Sequence, residues 1–468
     1  MAQLPLPGRS GPDPGLSDGS PLAIPSLPDA PNQVLATLVS AGHEAALVGG
    51  SLRDLLLGSQ PDDWDVATSA PPEIVHGLFH GSWWENRYGT VTIPGQPPVQ
   101  VTTYRTESAY GDRRRPDTVA FHGSLPDDLA RRDFTINAIA WRPDRPGAGT
   151  GTLVDPWGGI GDLRDELIRA VGDPGQRLRE DALRILRAVR FHARLGFTIE
   201  PATERALADA APLAATLSAE RVRDELMRLL GDPAITPSKA LARWERLGLL
   251  SILLPELGEL RGIPQGKPMP GDALDHSLRT VDALPPADPI LRVAGLFHDL
   301  GKASTGTDGH FIGHERVGAD LAAGVMRRLR FGAAETARVE RLVRHHMFGY
   351  EPSWTDAAVR RFMRRVGTDR LEDLFALRIA DNAASGVDEP GDGGLDELRH
   401  RVEAEREAPA VGSALAVDGH DLQRALDLAP GPEVGRLLDR LTEAVLDDPR
   451  LNEPDRLLAM ARALRAGR

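Results

Sequence analysis

Hydrophobic and polar positions divide the chain into a part with short alternating runs and a part with helical periodicity. Between about residues 31 and 172, apolar residues form short runs such as AALV, GTVTI and VQVTTY, a pattern typical of β-strands. From Pro174 onward, apolar residues recur at helical spacing, and one such run, QRLREDALRILRAVRFHARLG, ends at Gly196 as a helix would. The pattern therefore predicts an α+β protein, in which a mixed sheet with helices precedes an all-helical part.

Composition and turn residues subdivide these two parts further. Pro, Gly and Ser dominate the first 30 residues, which predicts a disordered tail. Loop-like stretches, GIPQGKPMPGD and SGVDEPGDGGLDE, separate groups of helical runs. The expected segments are a tail (1–30), a mixed α/β domain (31–173), a first helical region (174–270), a second helical domain (271–386) and a C-terminal helical region (387–468).

Overall composition excludes some kinds of chemistry. The 468 residues include no cysteine, which excludes disulfides, thiolate metal ligands and a cysteine nucleophile. No apolar stretch approaches the ~20 residues of a membrane span and no signal peptide is evident, so we expect a cytoplasmic protein that does not bind membranes. The formal net charge of -13 weakly disfavours nucleic acid as a partner, but clustered arginines permit a local basic surface.

The segment AALVGGSLRDLLLG has the features of a phosphate-binding turn. A short apolar run enters Gly49 and Gly50, and a helix is predicted to start at Ser51. Two glycines allow close approach of the backbone, and the N–H groups at a helix N-terminus are available to bind an anion. Arg53 would lie in the first turn, within reach of a phosphate. For Gly-Gly alone, an ordinary strand–turn–helix is the commoner explanation.

Two nearby aspartates in DDWDVAT are candidate metal ligands. Asp63 and Asp65 would point to the same face if this segment is a strand, because side chains alternate along strands. Carboxylates placed so close together repel unless a cation lies between them. Mg²⁺ prefers oxygen ligands and commonly keeps substrate phosphates among them. An isolated Asp-x-Asp is more often a solvated loop, whereas one that follows a phosphate-binding turn indicates a magnesium site.

Several ordered motifs resemble the bacterial class II tRNA nucleotidyltransferases, a family that includes CCA-adding enzymes and poly(A) polymerases. They are LVGGSLRDLLLG and DDWDVAT, then YGDRRRPDTVAF, DLARRDFTINAIAW, DPWGGIGDLRDELIRAVGDP and REDALRILRAVRF, and they span about residues 33–232. The resemblance implies a polymerase β-like nucleotidyltransferase head over 31–173 and a helical neck over 174–270.

The resemblance also implies roles for individual residues. Nucleotidyl transfer would use two metal ions and no nucleic-acid template, with Asp63 and Asp65 as the catalytic ligands of Mg²⁺. Asp133 would contact the ribose hydroxyl and so favour ribonucleotides, with Asn137 supporting the same turn. The residues for which nucleotide binding is implied are Gly49, Gly50, Arg53, Arg132, Asp133, Glu180, Asp181, Arg184, Arg187 and Arg190.

Asp181 and Arg184 in EDALRILRAVR offer a way to choose bases without a template. On one helix they would be i,i+3 neighbours, which by itself indicates only a surface ion pair. Cytosine and adenine each present an amino donor beside a ring-nitrogen acceptor, whereas uracil and guanine present a carbonyl acceptor beside an N–H donor. An accepting aspartate beside a donating arginine therefore matches C and A. The resemblance implies this role, with Glu180 holding the pair and Arg187 and Arg190 continuing the row.

Further stretches extend the resemblance, and one position departs from it. The segment TESAYGDRRRPD (106–117) matches the flexible loop of complete CCA-adding members, and Arg221 and Glu225 belong to what looks like the last neck motif. Gln100 is the departure, because many relatives have an acidic residue there. A third carboxylate would have to come from elsewhere, with Asp62 or substrate phosphates as the candidates.

A second group of candidate residues lies in the second helical domain. LFHDLGK places His298 beside Asp299, with His276 upstream and Asp381 downstream, and imidazole with carboxylate suits transition metals. The order resembles the HD phosphohydrolase superfamily, which implies an all-helical HD domain over 271–386 that holds a divalent transition metal. Histidines that are merely packed or exposed are the alternative. The extra ligand positions of some members are matched by His314 and by either His345 or His346.

The motifs together predict a tRNA nucleotidyltransferase that adds C, C and A to the tRNA 3′ end. Its partners would be the 3′ end and acceptor arm of tRNA together with ATP and CTP, and no protein partner is indicated. An alternative within the family is a poly(A) polymerase or an A-adding enzyme, which shares nearly all of these motifs. An alternative of another class is an HD-type, metal-dependent phosphohydrolase that acts on nucleotides or RNA ends.

Overall fold

The protein has a sheet-containing part followed by a helical part. The computed structural model describes residues 2–3, 12–13, 15–24, 27–84, 89–108, 118–120, 123–307, 310–386, 394–406 and 415–466. They belong to two compact units, 1–253 and 254–468. The mixed sheet lies in the first unit, and the regular elements described in the second unit are helices, which confirms the predicted α+β class. None of the described helices is long and apolar enough to cross a membrane.

Nine of the described strands of the first unit form one mixed sheet. All the described strands of this unit, including four outside that sheet, are β1 (Ala2–Gln3), β2 (Pro21–Ala23), β3 (Ala45–Val48), β4 (Trp64–Thr68), β5 (Trp83–Trp84), β6 (Thr90–Ile93), β7 (Val99–Thr103), β8 (Thr106–Ser108), β9 (Thr118–Ala120), β10 (Ala140–Pro143), β11 (Thr150–Val154), β12 (Leu167–Ile168) and β13 (Thr198–Ile199). The sheet order is β1-β2-β11-β10-β3-β4-β7-β6-β5, while β8 pairs with β9 and β12 with β13.

Helices pack on this sheet and continue beyond it to the end of the first unit. They are α1 (Asp29–Ser40), α2 (Gly49–Leu56), α3 (Pro72–Leu78), α4 (Leu125–Ala130), α5 (Gly159–Arg164), α6 (Pro174–Glu180), α7 (Leu183–Leu195), α8 (Pro201–Ala210), α9 (Ala219–Gly231), α10 (Pro237–Arg246) and α11 (Leu249–Leu253), with 3₁₀ turns at Thr135–Asn137 and Ala211–Thr216. Several begin with proline in the first turn, where its missing N–H has no helical partner to lose.

The second unit is built from helices with clear start signals. They are α12 (Pro255–Gly258), α13 (Ala273–Asp282), α14 (Pro289–Phe297), α15 (Lys302–Thr305), α16 (His314–Arg328), α17 (Ala333–His345), α18 (Asp356–Val366), α19 (Leu371–Ser385), α20 (Leu395–Glu405), α21 (Gly419–Leu426), α22 (Pro432–Asp447) and α23 (Pro454–Ala466), with 3₁₀ turns at Thr368–Arg370 and Pro449–Leu451. Asp272 and Asp288 cap α13 and α14 by accepting a backbone N–H with their side chains.

The centre of the sheet places one acidic residue beside a helix start. Strand β4 is antiparallel to β3 and parallel to β7, and all four residues of β3 are buried. In β4, four of the five residues are buried and Asp65 is the partly exposed one. A strand that is buried except at one position holds that position rigidly, because its neighbours are fixed in the core.

The predicted disordered tail is wrong for residues 15–24. Strand β2 adds to the sheet beside β11, and Leu22 and Ile24 are buried in the core. The Trp141 indole N–H donates to the Leu22 carbonyl at 3.1 Å, and the Asp18 carboxylate accepts the Asp155 backbone N–H at 2.8 Å. A few apolar residues among Pro, Gly and Ser are enough to form a strand when the sheet has an open edge to pair with.

The run that follows Pro174 is two helices rather than one. Helix α6 ends at Glu180, Asp181 has extended φ and ψ of -147° and 105°, and α7 begins at Leu183. The apolar spacing continues across this break, so periodicity alone could not reveal it. Asp181 forms the turn itself, because its carboxylate accepts the Leu183 N–H at 3.0 Å.

Candidate functional site

The turn between β3 and α2 brings the backbone close to two charged side chains. Gly49 has a φ of +72°, and a Cβ here would lie 2.8 Å from an Arg132 guanidinium nitrogen and 3.2 Å from an Asp65 carboxylate oxygen. The prediction that the helix starts at Ser51 is wrong, because α2 starts at Gly49. The Ser51 hydroxyl donates to the Val48 carbonyl at 2.9 Å and does not cap the helix.

Asp63 and Asp65 line one cavity of about 440 Å³, which we call the first cavity. The prediction required both aspartates to lie in a strand. Strand β4 begins at Trp64, however, and Asp63 lies in the bend before it. Burial raises the pKa of Asp65, Arg132 opposes this shift, and the charge of Asp63 adds to it. Two such carboxylates are stabilised by a divalent cation, and their oxygen donors fit a hard ion.

Arginines dominate the rest of the first cavity. Arg53 is buried, and it donates to Asp54 at 2.8 Å and to the Asn137 side-chain oxygen at 2.7 Å. Its guanidinium lies 5.2 Å from the centre of the Phe191 ring, which fixes its position further. Such fixed positive charge suits an anionic ligand such as a triphosphate. The lining arginines are Arg53, Arg105, Arg131, Arg132, Arg184, Arg187, Arg190 and Arg228.

Asp133 is the centre of a hydrogen-bonded turn that also lines the first cavity. Its carboxylate accepts hydrogen bonds from the Phe134 backbone N–H at 2.8 Å, from Asn137 at 3.0 Å and from Arg187 at 2.7 Å. Burial raises the pKa of this carboxyl, but Arg187 and Asn137 outweigh burial and hold the pKa well below its usual range. A ribose hydroxyl at Asp133 would therefore share an ionised carboxylate with Arg187.

Asp181 and Arg184 both line the first cavity, but each pairs with a different partner. Because Asp181 lies in the break between α6 and α7, the predicted i,i+3 relation on one helix is wrong. The Asp181 carboxylate accepts a hydrogen bond from Arg221 at 2.7 Å. Arg184 donates to the Glu180 carboxylate at 2.8 Å and to the Arg131 carbonyl at 2.9 Å. Acceptor and donor are thus held by partners on two different helices.

A buried carboxylate holds the next two arginines of α7. Glu225 on α9 accepts from Arg190 at 2.7 Å and lies 3.9 Å from Arg187. The guanidinium groups of Arg187 and Arg190 also lie 5.1 and 4.7 Å from the centre of the Phe191 ring. Their positions on the cavity wall are set by Glu225 and Phe191 before any ligand binds.

Of the candidates for a third carboxylate, the structure tests Asp62, which does not line the first cavity. Gln100 is the register partner of Asp65 on the neighbouring parallel strand, so the departure from the family lies directly beside the aspartate pair. The Asp62 side chain is 90% exposed, 4.0 Å from Arg194, and it is not part of the cavity lining. The loop 106–117 lies outside the described residues, apart from the backbone of 106–108.

In the second unit, a histidine–aspartate cluster collects ligand atoms from five helical elements. All its members are at most 7% exposed: His276 on α13, His298 and Asp299 after α14, His314 at the start of α16, His346 after α17 and Asp381 on α19. The Asp299 carboxylate lies between two groups, 3.3 Å from His298 Nε2 through one oxygen and 3.4 Å from His314 Nε2 through the other. Of the two candidates, His346 joins the cluster, whereas His345 lines a different cavity.

Backbone hydrogen bonds set which ring nitrogen faces the cluster. Nδ1 of His298, His314 and His346 each lies 2.7 Å from the carbonyl oxygen three positions earlier in the chain. These Nδ1 atoms carry the proton, and their Nε2 lone pairs face inward. His276 and His298 approach to 3.2 Å through Nε2, and His314 and His346 to 3.3 Å. Lone pairs facing each other at this distance fit a divalent cation, and the two groups of ligand atoms that could hold one, His276–His298–Asp381 and His298–Asp299–His346, have His298 in common.

Four members of the cluster have the protonation states of metal ligands. At His298, burial lowers the pKa but the neighbouring Asp299 outweighs burial and raises it. Burial lowers the pKa of His276, and burial together with His298 lowers that of His346 to about 3, so both rings are neutral near neutral pH. Burial raises the pKa of Asp299 and Asp381, but the facing histidines and lysines hold both carboxyls well below their usual range. Neutral imidazoles and ionised carboxylates are the forms that bind divalent ions.

Two lysines at the cluster were not predicted from the sequence. Lys302 lies 2.6 Å from the Asp299 carboxylate, and its i,i+3 spacing in HDLGK was an available signal. Lys267 lies 3.2 Å from Asp381 and 3.0 Å from His276 Nε2, but it comes from the loop before α13 and no pattern announced it. Both lysines line the cavity of about 410 Å³ that opens onto the cluster.

Known family models match three parts of the chain. The Poly A polymerase head domain matches residues 45–169, within the first unit. The probable RNA and SrmB-binding site of polymerase A matches 196–260, which ends just beyond that unit. The HD domain matches residues 273–385 in the second unit, which contain all members of the histidine–aspartate cluster.

Some relatives match nearly the whole length of the chain. The chain is 37% identical to the A-adding tRNA nucleotidyltransferase of Deinococcus radiodurans, over 86% of this chain and 91% of the relative. It is 34% identical to the CCA-adding enzyme of Levilactobacillus brevis, over 91% of this chain and 95% of the relative. Among solved structures, the CCA-adding enzyme of Bacillus stearothermophilus in complex with CTP aligns with a TM-score of 0.67 and 30% identity, covering 93% of this chain and 97% of that one.

Proposed function

The chain belongs to the tRNA nucleotidyltransferase family, and we propose that it adds C, C and A to the 3′ end of tRNA from CTP and ATP. One observation carries the proposal: Asp63, Asp65 and the Asp181 and Arg184 side chains line the same cavity. Reactive centre and base recognition would therefore belong to one bound nucleotide. The CTP in the Bacillus stearothermophilus relative supports a cytidine nucleotide as one substrate.

In the reaction, the RNA 3′-hydroxyl oxygen forms a bond to the α-phosphorus of the nucleoside triphosphate. The bond from that phosphorus to the bridging oxygen breaks, pyrophosphate leaves, and the hydroxyl proton passes to water. Mg²⁺ held by Asp63 and Asp65 supplies charge stabilisation to this chemistry when bound. Arg132 and Arg187 add fixed positive charge on the cavity wall, and they need no reorganisation to receive a triphosphate.

Base choice is assigned to Asp181 and Arg184. An accepting carboxylate and a donating guanidinium match the Watson–Crick edges of C and A and mismatch those of U and G. Arg221 holds the carboxylate and Glu180 holds the guanidinium, so the two polar edges are oriented by different helices. A small rotation of one helix against the other would change the distance between donor and acceptor, which suits a site that must accept two bases of different size.

The test extends three tRNA transcripts that end before CCA, after C and after CC, with each nucleoside triphosphate alone and with CTP plus ATP. Addition of CCA followed by a stop is the expected result. Addition of A alone, and only to the CC-ended transcript, would instead make the chain an A-adding enzyme, the activity named for the Deinococcus radiodurans relative. Unlimited A addition would indicate a poly(A) polymerase, and no incorporation on any transcript would contradict the proposal.

A second activity, metal-dependent hydrolysis of phosphate esters, is proposed for the histidine–aspartate cluster. The supporting observation is that two groups of ligand atoms, which have His298 in common, lie beneath a cavity lined by Lys267 and Lys302, two cations suited to a phosphate. The measurement is phosphate release from nucleoside 2′- and 3′-monophosphates with Mn²⁺, Ni²⁺, Co²⁺ or Mg²⁺ added singly. Release that persists in the variant with His298→Ala and Asp299→Ala would contradict it.

A further inference from the structure

A third cavity adjoins the histidine–aspartate cluster on its His346 side. It has a volume of about 270 Å³ and shares Glu315 and Met347 with the cavity above the cluster. His346 belongs to the cluster, whereas its chain neighbour His345 lines this third cavity. We call this space the arginine pocket, and its lining includes Arg316, Arg344, His345, Phe348, Phe362 and Arg365.

The walls of the arginine pocket are rigid elements. Arg316 lies in the first turn of α16, Arg344 and His345 end α17, and α18 supplies Phe362 and Arg365. The rings of Phe348 and Phe362 are buried with centroids 5.2 Å apart and form an apolar floor. The pocket therefore exists before a ligand arrives, with charge at its rim and aromatic carbon beneath.

Positive charge in the arginine pocket is not balanced by the described carboxylates. Arg344 is neutralised by Asp320 at 2.7 Å and by Glu340 at 2.9 Å. Arg316 is 81% exposed, and Glu315, which also lines the pocket, lies 3.9 Å from it. Arg365 is exposed, and its contact within the described part of the chain is the Phe362 ring at 5.9 Å. The guanidinium groups of Arg316 and Arg365 thus face the pocket without a close ion-pair partner among the described residues.

We propose that the arginine pocket binds the second phosphate of a nucleotide whose first phosphate lies at the histidine–aspartate cluster. Guanidinium groups bind phosphate oxygens in pairs, which explains arginine at both uncompensated positions. The shared chemistry is a nucleoside that carries phosphates on both its 3′ and 5′ sides. A free nucleoside 3′,5′-bisphosphate and the 3′-phosphorylated end of an RNA both have it. The inference rests on the hydrolase activity proposed above for the position of the first phosphate.

The test measures binding to the full chain by equilibrium dialysis with Mn²⁺ present. The probes are adenosine 3′,5′-bisphosphate, adenosine 3′-monophosphate and a 3′-phosphorylated trinucleotide. The expected preference for the bisphosphate over the monophosphate is about tenfold, from one charge-assisted contact. Arg365→Gln and Arg316→Gln should each remove most of this preference and leave monophosphate binding within about twofold. Arg364→Gln is the matched control, because Arg364 is exposed on the same helix but does not line the pocket.

The outcomes separate this inference from the hydrolase proposal. An unchanged preference in Arg365→Gln, or an equal loss for both probes, would overturn the arginine pocket as a phosphate site. A preference that depends on Arg365 without phosphate release from any probe would support the pocket and contradict the hydrolase. Tighter binding of the trinucleotide than of the bisphosphate would identify RNA ends as the source, and the reverse would identify free nucleotides. The first cavity is the same in all variants, so only differences between them count.

Discussion

The first cavity and the cavity above the histidine–aspartate cluster have similar volumes, about 440 and 410 Å³, but opposite arrangements of charge. In the first, arginines already held by carboxylates surround two aspartates that lie near one another. In the second, imidazole and carboxylate donors point inward, and two lysines lie against the carboxylates. The first already offers fixed positive charge to an anionic nucleotide, because Arg53, Arg187 and Arg190 are held by neighbouring side chains. In the second, a divalent ion would have to displace Lys267 from Asp381 and Lys302 from Asp299.

The largest expected effect is the loss of nucleotide incorporation when one aspartate of the first cavity is replaced. Asp65→Asn should lower nucleotide incorporation about 1,000-fold, because it removes one charged ligand of a divalent ion at the reacting phosphate. The measurement is single-turnover extension of a CC-ended tRNA transcript with ATP. Metal bound by the second unit should be unchanged in the same variant. Incorporation within tenfold of the wild-type rate would show that the aspartate pair does not carry the reaction.

The reciprocal change should abolish metal binding at the histidine–aspartate cluster. His298→Ala combined with Asp299→Ala removes a member of each ligand group, so transition metal retained after gel filtration, measured by mass spectrometry, should fall to background. Extension of tRNA should stay within about twofold, because both substitutions lie in the other unit. A parallel loss of extension, with the protein still folded, would mean that the two cavities depend on each other.

A smaller effect concerns stability in the first unit. Asp133→Asn should cost about 2–3 kcal/mol, because Arg187 then loses its charged partner at 2.7 Å. The pKa of Asp133 is lower folded than unfolded, so its contribution is present above the unfolded value of ~4 and is lost as pH falls below it. The difference in Tm between wild type and variant should therefore shrink between pH 6 and pH 3. A constant difference would contradict a charge-based origin.

The smallest effect tests the exchange of lysine for metal. Lys267→Met should raise the affinity of the cluster for Mn²⁺ about tenfold, because the ion no longer competes with an ammonium group for Asp381 and His276. Titration calorimetry measures it, with the exposed Lys239→Met in the other unit as control. Weaker binding in Lys267→Met would mean that the lysine supports the metal rather than competing with it.

The two cavities also differ in how far the sequence could predict them. The glycine turn and the aspartate pair lie within about 20 residues, so the local pattern was enough to associate them with one site. The ligands of the cluster are spread from His276 to Asp381, and only their order and types gave a signal. The choice of His346 over His345 depends on where α17 ends, which sequence periodicity fixes only to within a residue or two.

The errors in the prediction arose where a side-chain hydrogen bond or a tertiary contact outweighed the local sequence pattern. Asp181 interrupts a run whose apolar spacing is intact, because its own carboxylate closes a turn that competes with the helix. Strand β2 forms because β11 has an open edge, which composition in the first 30 residues could not reveal. Lys267 reaches the cluster through a loop, and loop paths are set by tertiary contacts such as the hydrogen bond from the Met269 N–H to the Ser385 carbonyl.

Strand β2 matters to anyone who shortens this protein for crystallisation or labelling. Residues up to 24 look dispensable by composition, yet Leu22 and Ile24 are buried and β2 covers the backbone of β11. Trimming them would leave a bare strand with unpaired N–H and C=O groups at the rim of the sheet, a template to which other molecules add. Tags and fluorophores are better attached at exposed positions elsewhere, since an N-terminal deletion through β2 would uncover the edge of β11.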